Sequence, residues 1–184
     1  ELDPGNPDAW REWGVALQML GRDEEALVSL DRALSLRPGD PVAWNLKGSI
    51  LRRLGRLGDA ADAFRKVMDG DPRNTQAWFQ LGESLYELGQ YGEAADAAGK
   101  ALELDPGLIT AWFTRGMAFN RLGRYGEAVE AFRKVVGEDR DDSLAWYNMG
   151  WAERELRHYG PAVEAFDEAL RIDAPDVVAS FGED

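Results

Sequence analysis

Apolar and small side chains recur along this chain with helical spacing, and the same pattern returns every 34 residues. In the first copy, one helical stripe consists of Trp10, Trp13, Leu17 and Leu20. After the polar break at 21–24, a second stripe consists of Ala26, Leu30, Ala33 and Leu34. The pattern therefore predicts a pair of helices in each copy, spanning roughly 7–20 and 24–36 in the first.

A tryptophan marks the same place in each of five copies: Trp10, Trp44, Trp78, Trp112 and Trp146. An alanine precedes each tryptophan, and a glycine follows it four residues later at Gly14, Gly48, Gly82, Gly116 and Gly150. Such a fixed period predicts a stack of small units in which each unit contacts its neighbours, rather than a globule around one core. The small residues mark places where two helices approach closely.

The predicted helices have suitable residues at their ends. Asn6-Pro7 and Asp40-Pro41 combine a capping side chain with proline at the first helical position. Gly21 follows the first helix and favours the left-handed conformation of a C-cap. Each copy is thus predicted to be a helical hairpin, with a first helix (helix A) and a second helix (helix B).

This pattern, with its later Ala, Phe, Ala and Pro positions, resembles the tetratricopeptide (TPR) repeat over nearly the whole chain. The resemblance implies an all-α fold, a right-handed superhelical solenoid of stacked antiparallel helix pairs. It places the repeats at 7–40, 41–74, 75–108, 109–142 and 143–176. Residues 1–6 are then the tail of a preceding repeat, because they copy the segment 103–107, and residues 177–184 are a remnant or tail. We expect a chain cut from a longer array or a larger protein.

Charge and composition narrow the classes of function. The 184 residues carry 34 acidic and 21 basic side chains, for a formal charge of -13, and no cysteine. This acidity disfavours nucleic acid as a partner, since phosphate backbones need a basic surface. There is no apolar run long enough for membrane insertion and no visible signal peptide, so we expect a cytoplasmic protein.

The resemblance also implies where a ligand binds, because the A helices of such arrays line a concave groove. In the first two repeats the groove positions are Arg11, Asn45, Ser49, Arg52 and Arg53. In the third they are Phe79, Gln80, Glu83 and Tyr86. In the last two they are Phe113, Thr114, Met117, Asn120, Arg121, Tyr147, Asn148, Trp151 and Arg154. A two-carboxylate clamp for chaperone tails is disfavoured, since its Lys and Asn positions are not matched.

The groove positions differ from the rest of the surface. Over all the inner-facing places of the five repeats, five arginines balance five carboxylates (Asp8, Glu12, Glu83, Glu87 and Glu155), so the net negative charge lies elsewhere. Phe79, Phe113 and Tyr147 recur at the repeat spacing and are predicted to form an aromatic ladder, either for binding or for packing between A helices. Arg52 and Arg53 are either ligand-facing or a solvated helix end that complements the helix dipole.

Some positions depart from the repeat. Glu153 takes a place that is Leu or Phe elsewhere, which suggests a fifth repeat near an exposed end. Lys47 and Arg115 take an otherwise apolar place, and we expect their charged heads to reach outward. The single histidine, His158, is interpreted as a surface turn residue, because no convergent set of catalytic groups accompanies it.

The sequence therefore predicts no enzyme activity, no cofactor and no metal site. It favours a protein-interaction scaffold that holds a peptide or partner helix in its groove. Two alternatives stay open. One is self-assembly as a homo-oligomer, through uncapped ends or by insertion of the segment 177–181 into a neighbour's groove. The other is a substrate-selecting region of a larger enzyme.

Overall fold

The computed structural model of the chain describes residues 4–173, and within them it contains ten α-helices and no strand. The chain divides into two compact units, Glu1–Gly89 and Gln90–Asp184. The first unit holds α1 (Pro7–Met19), α2 (Asp23–Leu36), α3 (Pro41–Arg53), α4 (Leu57–Gly70) and α5 (Thr75–Glu87). The second unit holds α6 (Tyr91–Leu104), α7 (Ile109–Arg121), α8 (Tyr125–Glu138), α9 (Ser143–Glu155) and α10 (Tyr159–Asp173). The predicted tail at 177–184 lies outside the described residues.

The helix ends follow the predicted chemistry. Asn6 accepts hydrogen bonds from the backbone N–H groups of Asp8 and Ala9, and Asp40 accepts from those of Val42 and Ala43. Gly21 has φ 72°, in the left-handed region where glycine is favoured. The same place in the last repeat is taken by Arg157, whose φ is 62°. The first two helices end within one residue of their predicted bounds.

Each repeat tryptophan ties the start of its A helix to the loop before it. Its indole Nε1–H donates to the backbone carbonyl six residues earlier, over 2.7–3.0 Å, in all five repeats. The acceptor is a proline carbonyl in four repeats and that of Arg140 in the fifth. Substitution of the proline thus leaves this bond in place, because only the carbonyl takes part.

In the first unit, α1 contacts α2, α2 contacts α3, α3 contacts α4, and α4 contacts α5. Leu30 on α2 and Phe64 on α4 are fully buried. Gly48 on α3 faces Phe64 so closely that an added Cβ would lie 2.7 Å from the ring. The close approach predicted at the repeat glycines is confirmed here.

In the second unit, the contacts run in the same way from α6 through α10. Phe132 on α8 is fully buried against Gly116 on α7, where an added Cβ would lie 2.9 Å from the ring. Phe166 on α10 approaches Gly150 on α9 at 3.0 Å. Across residues 4–173, no helix is long and apolar enough to cross a membrane.

Two charged side chains at departures from the repeat lie within the protein. Glu153 is buried, and Arg133 of α8 and His158 of the α9–α10 turn bond its two carboxylate oxygens at 3.2 and 2.8 Å. The prediction for the charged head of Arg115 is wrong. Arg115 does not direct its head outward. Its guanidinium lies 5.2 Å from the centre of the Phe119 ring and fills the space beside Gly99.

Candidate functional site

In the first unit, the predicted groove residue Arg11 serves the structure itself. Its guanidinium bonds Asp8 at 2.8 Å, Glu12 at 3.1 Å and Asp40 at 2.9 Å. Asp40 is buried and caps α3, so Arg11 neutralises a capping carboxylate that has little access to water. The bond with Asp40 is the main reason that the pKa of Arg11 is raised above its ordinary value.

Arg52 and Arg53, which are adjacent in sequence, turn to different helices. Arg52 on α3 pairs with Glu83 at 2.9 Å and Glu87 at 3.3 Å, both on α5. Arg53 instead pairs with Asp23, at the start of the B helix α2. Both arginines therefore bond carboxylates of neighbouring helices, which neither sequence interpretation included.

The carboxylate of Glu83, which pairs with Arg52, is half-buried. Burial raises the pKa of Glu83 above its ordinary value, Arg52 opposes that shift, and Glu87 adds to it. The positive charge of Arg52 therefore does not fully compensate for the loss of water around Glu83.

The polar groove residues of the first unit also bond one another. The Ser49 hydroxyl lies 3.1 Å from Gln80 Oε1 and 3.0 Å from the carbonyl of Asn45. The side-chain oxygen of Asn45 is buried and has no hydrogen-bond partner among the described residues. Phe79 and Tyr86 are partly buried. In this unit most polar groups of the predicted groove are already satisfied within the protein.

The second unit contains an open cleft between α7 and α9, with a volume of about 200 Å³. Its lining residues are all among the positions predicted from the sequence: Met117, Asn120, Arg121, Tyr147, Asn148 and Trp151. Tyr147 is 53% exposed, whereas Met117 and Trp151 are partly buried. The cleft thus presents two aromatic rings, a thioether and polar groups to an entering ligand.

Hydrogen bonds hold the polar wall of the cleft. Asn120 is buried on α7, and its amide N–H donates to the backbone carbonyl of Asn148 on α9 over 3.2 Å. Asn148 in turn donates from its side chain to the Leu144 carbonyl at 2.7 Å. Asn120 Oδ1 has no hydrogen-bond partner within residues 4–173. A buried acceptor of this kind costs free energy until a donor reaches it.

Aromatic and cationic contacts fix the other wall. Trp151 meets Tyr125 edge to face at a centroid distance of 5.4 Å. The Arg154 guanidinium lies 5.9 Å from the Trp151 ring and pairs with Glu155 at 2.7 Å. Arg121 lies 5.9 Å from the ring of Tyr91 on α6. The Trp151 ring is therefore held by Tyr125 and Arg154 while it also lines the cleft.

The remaining predicted residues of this unit are occupied by packing. Phe113 meets Phe132 of its own repeat edge to face at 5.7 Å, and Tyr147 meets Phe166 at 5.7 Å with the rings tilted by 55°. The Thr114 hydroxyl donates to the Thr110 carbonyl. Of the two aromatics, Tyr147 retains the larger open surface, so it alone also borders the cleft.

Sequence reasoning missed the B-helix tyrosines that support this cleft. Tyr91 and Tyr125 open α6 and α8 and contact Arg121 and Trp151. Their 34-residue spacing, continued at Tyr159, was a signal in the sequence. The groove that the resemblance implies involves A helices alone, so these B-helix tyrosines are not among its predicted residues.

Paired α-helices repeated five times, with an interior formed between successive pairs, define a helical-repeat protein. Tetratricopeptide repeat models match residues 7–50, 29–75, 45–109 and 113–177, so the chain belongs to the tetratricopeptide repeat family. Proteins of this family are interaction scaffolds and are generally not catalysts. No curated protein sequence matches the chain.

Solved structures support the same fold. The crystal structure of MamA protein has a TM-score of 0.88 at 20% sequence identity, covering 97% of this chain and 96% of that one. YrrB, described as a TPR protein with an unusual peptide-binding site, has a TM-score of 0.86 at 24% identity, covering 97% and 92%. MamA 41-end from Desulfovibrio magneticus RS-1 has 0.86 at 22%, covering 92% and 96%. The predicted all-α TPR fold is confirmed.

Proposed function

We propose that this interaction scaffold binds an extended peptide or a partner helix at the cleft between α7 and α9. The observation that carries the proposal is the lining of the cleft, which consists of residues at groove positions and includes Tyr147 and Trp151. Aromatic side chains, methionine and arginine are enriched where proteins bind partners, and a braced aromatic loses little entropy on binding.

The same reasoning gives the first unit a smaller part in binding. There, Arg52 is paired with two carboxylates, and Ser49 is bonded to Gln80. A ligand would have to replace these contacts, so it would gain less from each new one. Arg53 is left out of the proposed site because Asp23 already binds it.

The chemistry of the cleft suggests the class of ligand. Met117, Tyr147 and Trp151 offer apolar surface for one anchoring side chain. Asn120 lines the cleft and its Oδ1 is a buried acceptor without a partner among the described residues, so a backbone N–H of an extended segment that reached it would satisfy it. Arg121 borders the opening and favours an acidic residue beside the anchor.

A random-peptide display selection on the immobilised chain tests the proposal. We expect selected peptides to bind Trp151→Ala at least about tenfold more weakly, because loss of a central aromatic anchor typically removes more than 1.4 kcal/mol. Trp13→Ala is the matched control, since Trp13 is exposed but lies on α1, outside the cleft. Circular dichroism checks that both variants keep their helices.

Peptides whose affinity falls equally for Trp151→Ala and Trp13→Ala would contradict a specific site at the cleft. Peptides affected instead by Arg52→Ala would move the site to the first unit. Both outcomes can be distinguished from the expected one by titration of a single fluorescent peptide against the three variants.

A further inference from the structure

A second cleft of the second unit lies between the B helices α8 and α10, where the turn at 139–142 leads into α9. Its volume is about 410 Å³. Three arginines line it: Arg133 on α8, Arg140 in the turn and Arg171 on α10. Trp146 and one carboxylate, that of Glu168, complete its polar lining. We call it the arginine cleft, and it shares no lining residue with the cleft between α7 and α9.

The charge of the arginine cleft differs from that of the same places elsewhere in the chain. Its three arginines and one carboxylate leave a net charge of +2. One repeat earlier, the same places hold one cation and one carboxylate, Lys134 and Glu103. At the junction of the first two repeats, Asp31 and Asp69 outnumber Lys66. In a chain with a formal charge of -13, the arginine cleft is therefore a local concentration of positive charge.

The three arginines keep donors for a ligand. Arg133 bonds Glu153 at 3.2 Å, but a guanidinium has five N–H donors, so others remain. Arg171 pairs with Glu168 on its own helix at 2.7 Å, and exposed pairs of this kind contribute at most about 1 kcal/mol. The side chain of Arg140 is exposed and has no bonded partner within residues 4–173. A ligand would therefore break few strong contacts on entering the arginine cleft.

Arg140 adds charge to the cleft without changing the local structure. The first three repeats end in proline at this place, as Pro38, Pro72 and Pro106. The Arg140 carbonyl accepts the bond from Trp146 Nε1–H at 2.9 Å, as the proline carbonyls do in the other repeats. This bond holds the Trp146 indole at the wall of the arginine cleft. The guanidinium is thus the part of Arg140 that the repeat itself does not use.

We propose that the arginine cleft binds a short acidic segment of a partner protein, with carboxylates on Arg140 and Arg171 and an apolar side chain against Trp146. The planar guanidinium group matches a carboxylate through two parallel N–H···O bonds. Glu168 already pairs with Arg171 there, so the cleft has room for a carboxylate. A long polyanion such as nucleic acid would also meet the acidic remainder of the surface, whereas a short segment meets the cleft alone.

This site goes beyond the proposed function, because the two clefts have different lining residues and can be altered separately. One partner that carried a segment for each cleft would bind with the avidity of two linked contacts.

The Trp146 indole N–H reports binding in the arginine cleft, because it lies in the wall and bonds the Arg140 carbonyl. The probe is the capped peptide acetyl-Gly-Glu-Glu-Leu-Gly-amide, titrated into the isotopically labelled full chain and followed by NMR. We expect the Trp146 indole signal, assigned through Trp146→Phe, to shift until it saturates. The signal of Trp112, which holds the same place one repeat earlier, should not move. The same peptide with glutamine in place of both glutamates should shift neither signal.

Two variants that each remove one positive charge separate the cleft from overall charge. Arg140→Pro removes the guanidinium and restores the residue of the first three repeats, so the fold should be retained. We expect it to bind the probe at least about tenfold more weakly, because charge-assisted hydrogen bonds are lost. Lys134→Gln is the matched control, since Lys134 is exposed on α8 and does not line the cleft. It should change the affinity by less than about threefold.

Equal losses for Arg140→Pro and Lys134→Gln would overturn the proposal, because overall charge would then explain the binding. A shift of the Trp151 signal in place of Trp146 would also overturn it and would assign the acidic probe to the cleft between α7 and α9. An absence of any shift has the same consequence. Circular dichroism confirms that both variants are folded.

Other occupants of the arginine cleft give different results in the same titration. A Trp146 shift with inorganic phosphate but not with the peptide would overturn the proposal and replace the carboxylates by a phosphate group. A peptide that binds only after the acidic residues of 174–184 are changed to their amides would overturn it too. That outcome would assign the arginine cleft to the chain's own C-terminal segment.

Discussion

At the scale of single residues, the repeat glycines set how closely two helices can approach. Gly48 faces the fully buried Phe64, and an added Cβ would lie 2.7 Å from the ring. We expect Gly48→Ala to lower the free energy of unfolding by about 1–3 kcal/mol, because the buried ring has no room to move away. Gly137→Ala on α8 meets nothing within 4 Å and should instead stabilise by about 0.5–1 kcal/mol.

Urea denaturation of the two glycine variants measures this contrast. A loss of stability at both positions would show that the change in backbone, rather than the approach to Phe64, determines the effect.

The pKa of Glu83 leads to a prediction about pH. Burial raises this pKa above the ordinary value of 4.5, so the folded protein takes up the proton before the unfolded chain does as the pH falls. The contribution of Glu83 to stability should therefore increase on lowering the pH from 7 towards 4.5. Relative to Glu83→Gln, the wild-type chain should gain stability across this range in thermal unfolding. A wild-type chain that instead loses stability relative to Glu83→Gln as the pH falls would mean that the pair with Arg52 outweighs burial.

The sequence predicted the helix ends and the close helix contacts, but not the ion-pair partners that lie far apart along the chain. The glycine and capping positions were predicted because their reasons are local. The partners of Glu153 could not be predicted, because Arg133 and His158 come from a helix and a turn that only the fold brings together. The partners of Arg52 were likewise not predicted, because they lie on another A helix, more than thirty residues away in sequence.

At the scale of helices, the free energy that an N-cap side chain contributes depends on whether the same side chain also binds a second group. Asp40 caps α3 and accepts a hydrogen bond from Arg11, whereas Asn74 caps α5 through the Ala77 N–H alone. We expect Asp40→Ala to cost about 2 kcal/mol or more, because about 1 kcal/mol of cap is lost together with a charge-assisted bond. Asn74→Ala should cost about 1 kcal/mol.

Asp40→Asn separates the two contributions, since an amide oxygen still caps the helix but carries no charge for Arg11. Its unfolding free energy, measured in urea, should fall between those of the wild-type chain and Asp40→Ala. Equal losses for Asp40→Asn and Asp40→Ala would place the whole effect in the ion pair.

The helices were predicted in number, order and approximate length because a 34-residue pattern repeats a local signal five times. The lining of the cleft was predicted from A-helix positions alone. The sequence did not predict which groove side chains already form contacts within the protein. The first unit fills its positions with ion pairs, whereas the second leaves Tyr147 largely open, and this difference depends on side chains of separate helices.

At the scale of the whole molecule, net charge and exposed apolar side chains act in opposite directions on association between copies. Each copy carries a formal charge of -13, so two copies repel one another, most strongly at low ionic strength. Exposed apolar side chains such as Val163 and Leu170 act in the opposite direction, because salt does not weaken the burial of apolar surface. Association should therefore strengthen as salt screens the repulsion.

We expect the weight-average mass at a fixed protein concentration to rise between about 0.01 and 0.5 M sodium chloride, where the Debye length falls from about 30 Å to less than 8 Å. Static light scattering measures the rise, and Leu170→Glu serves as the control because it replaces an exposed apolar side chain by a charged one and should rise less. Dissociation by salt would contradict an apolar contact and indicate ion pairs between copies. The two results differ in sign, so a single titration of the wild-type chain tells which force governs association between copies.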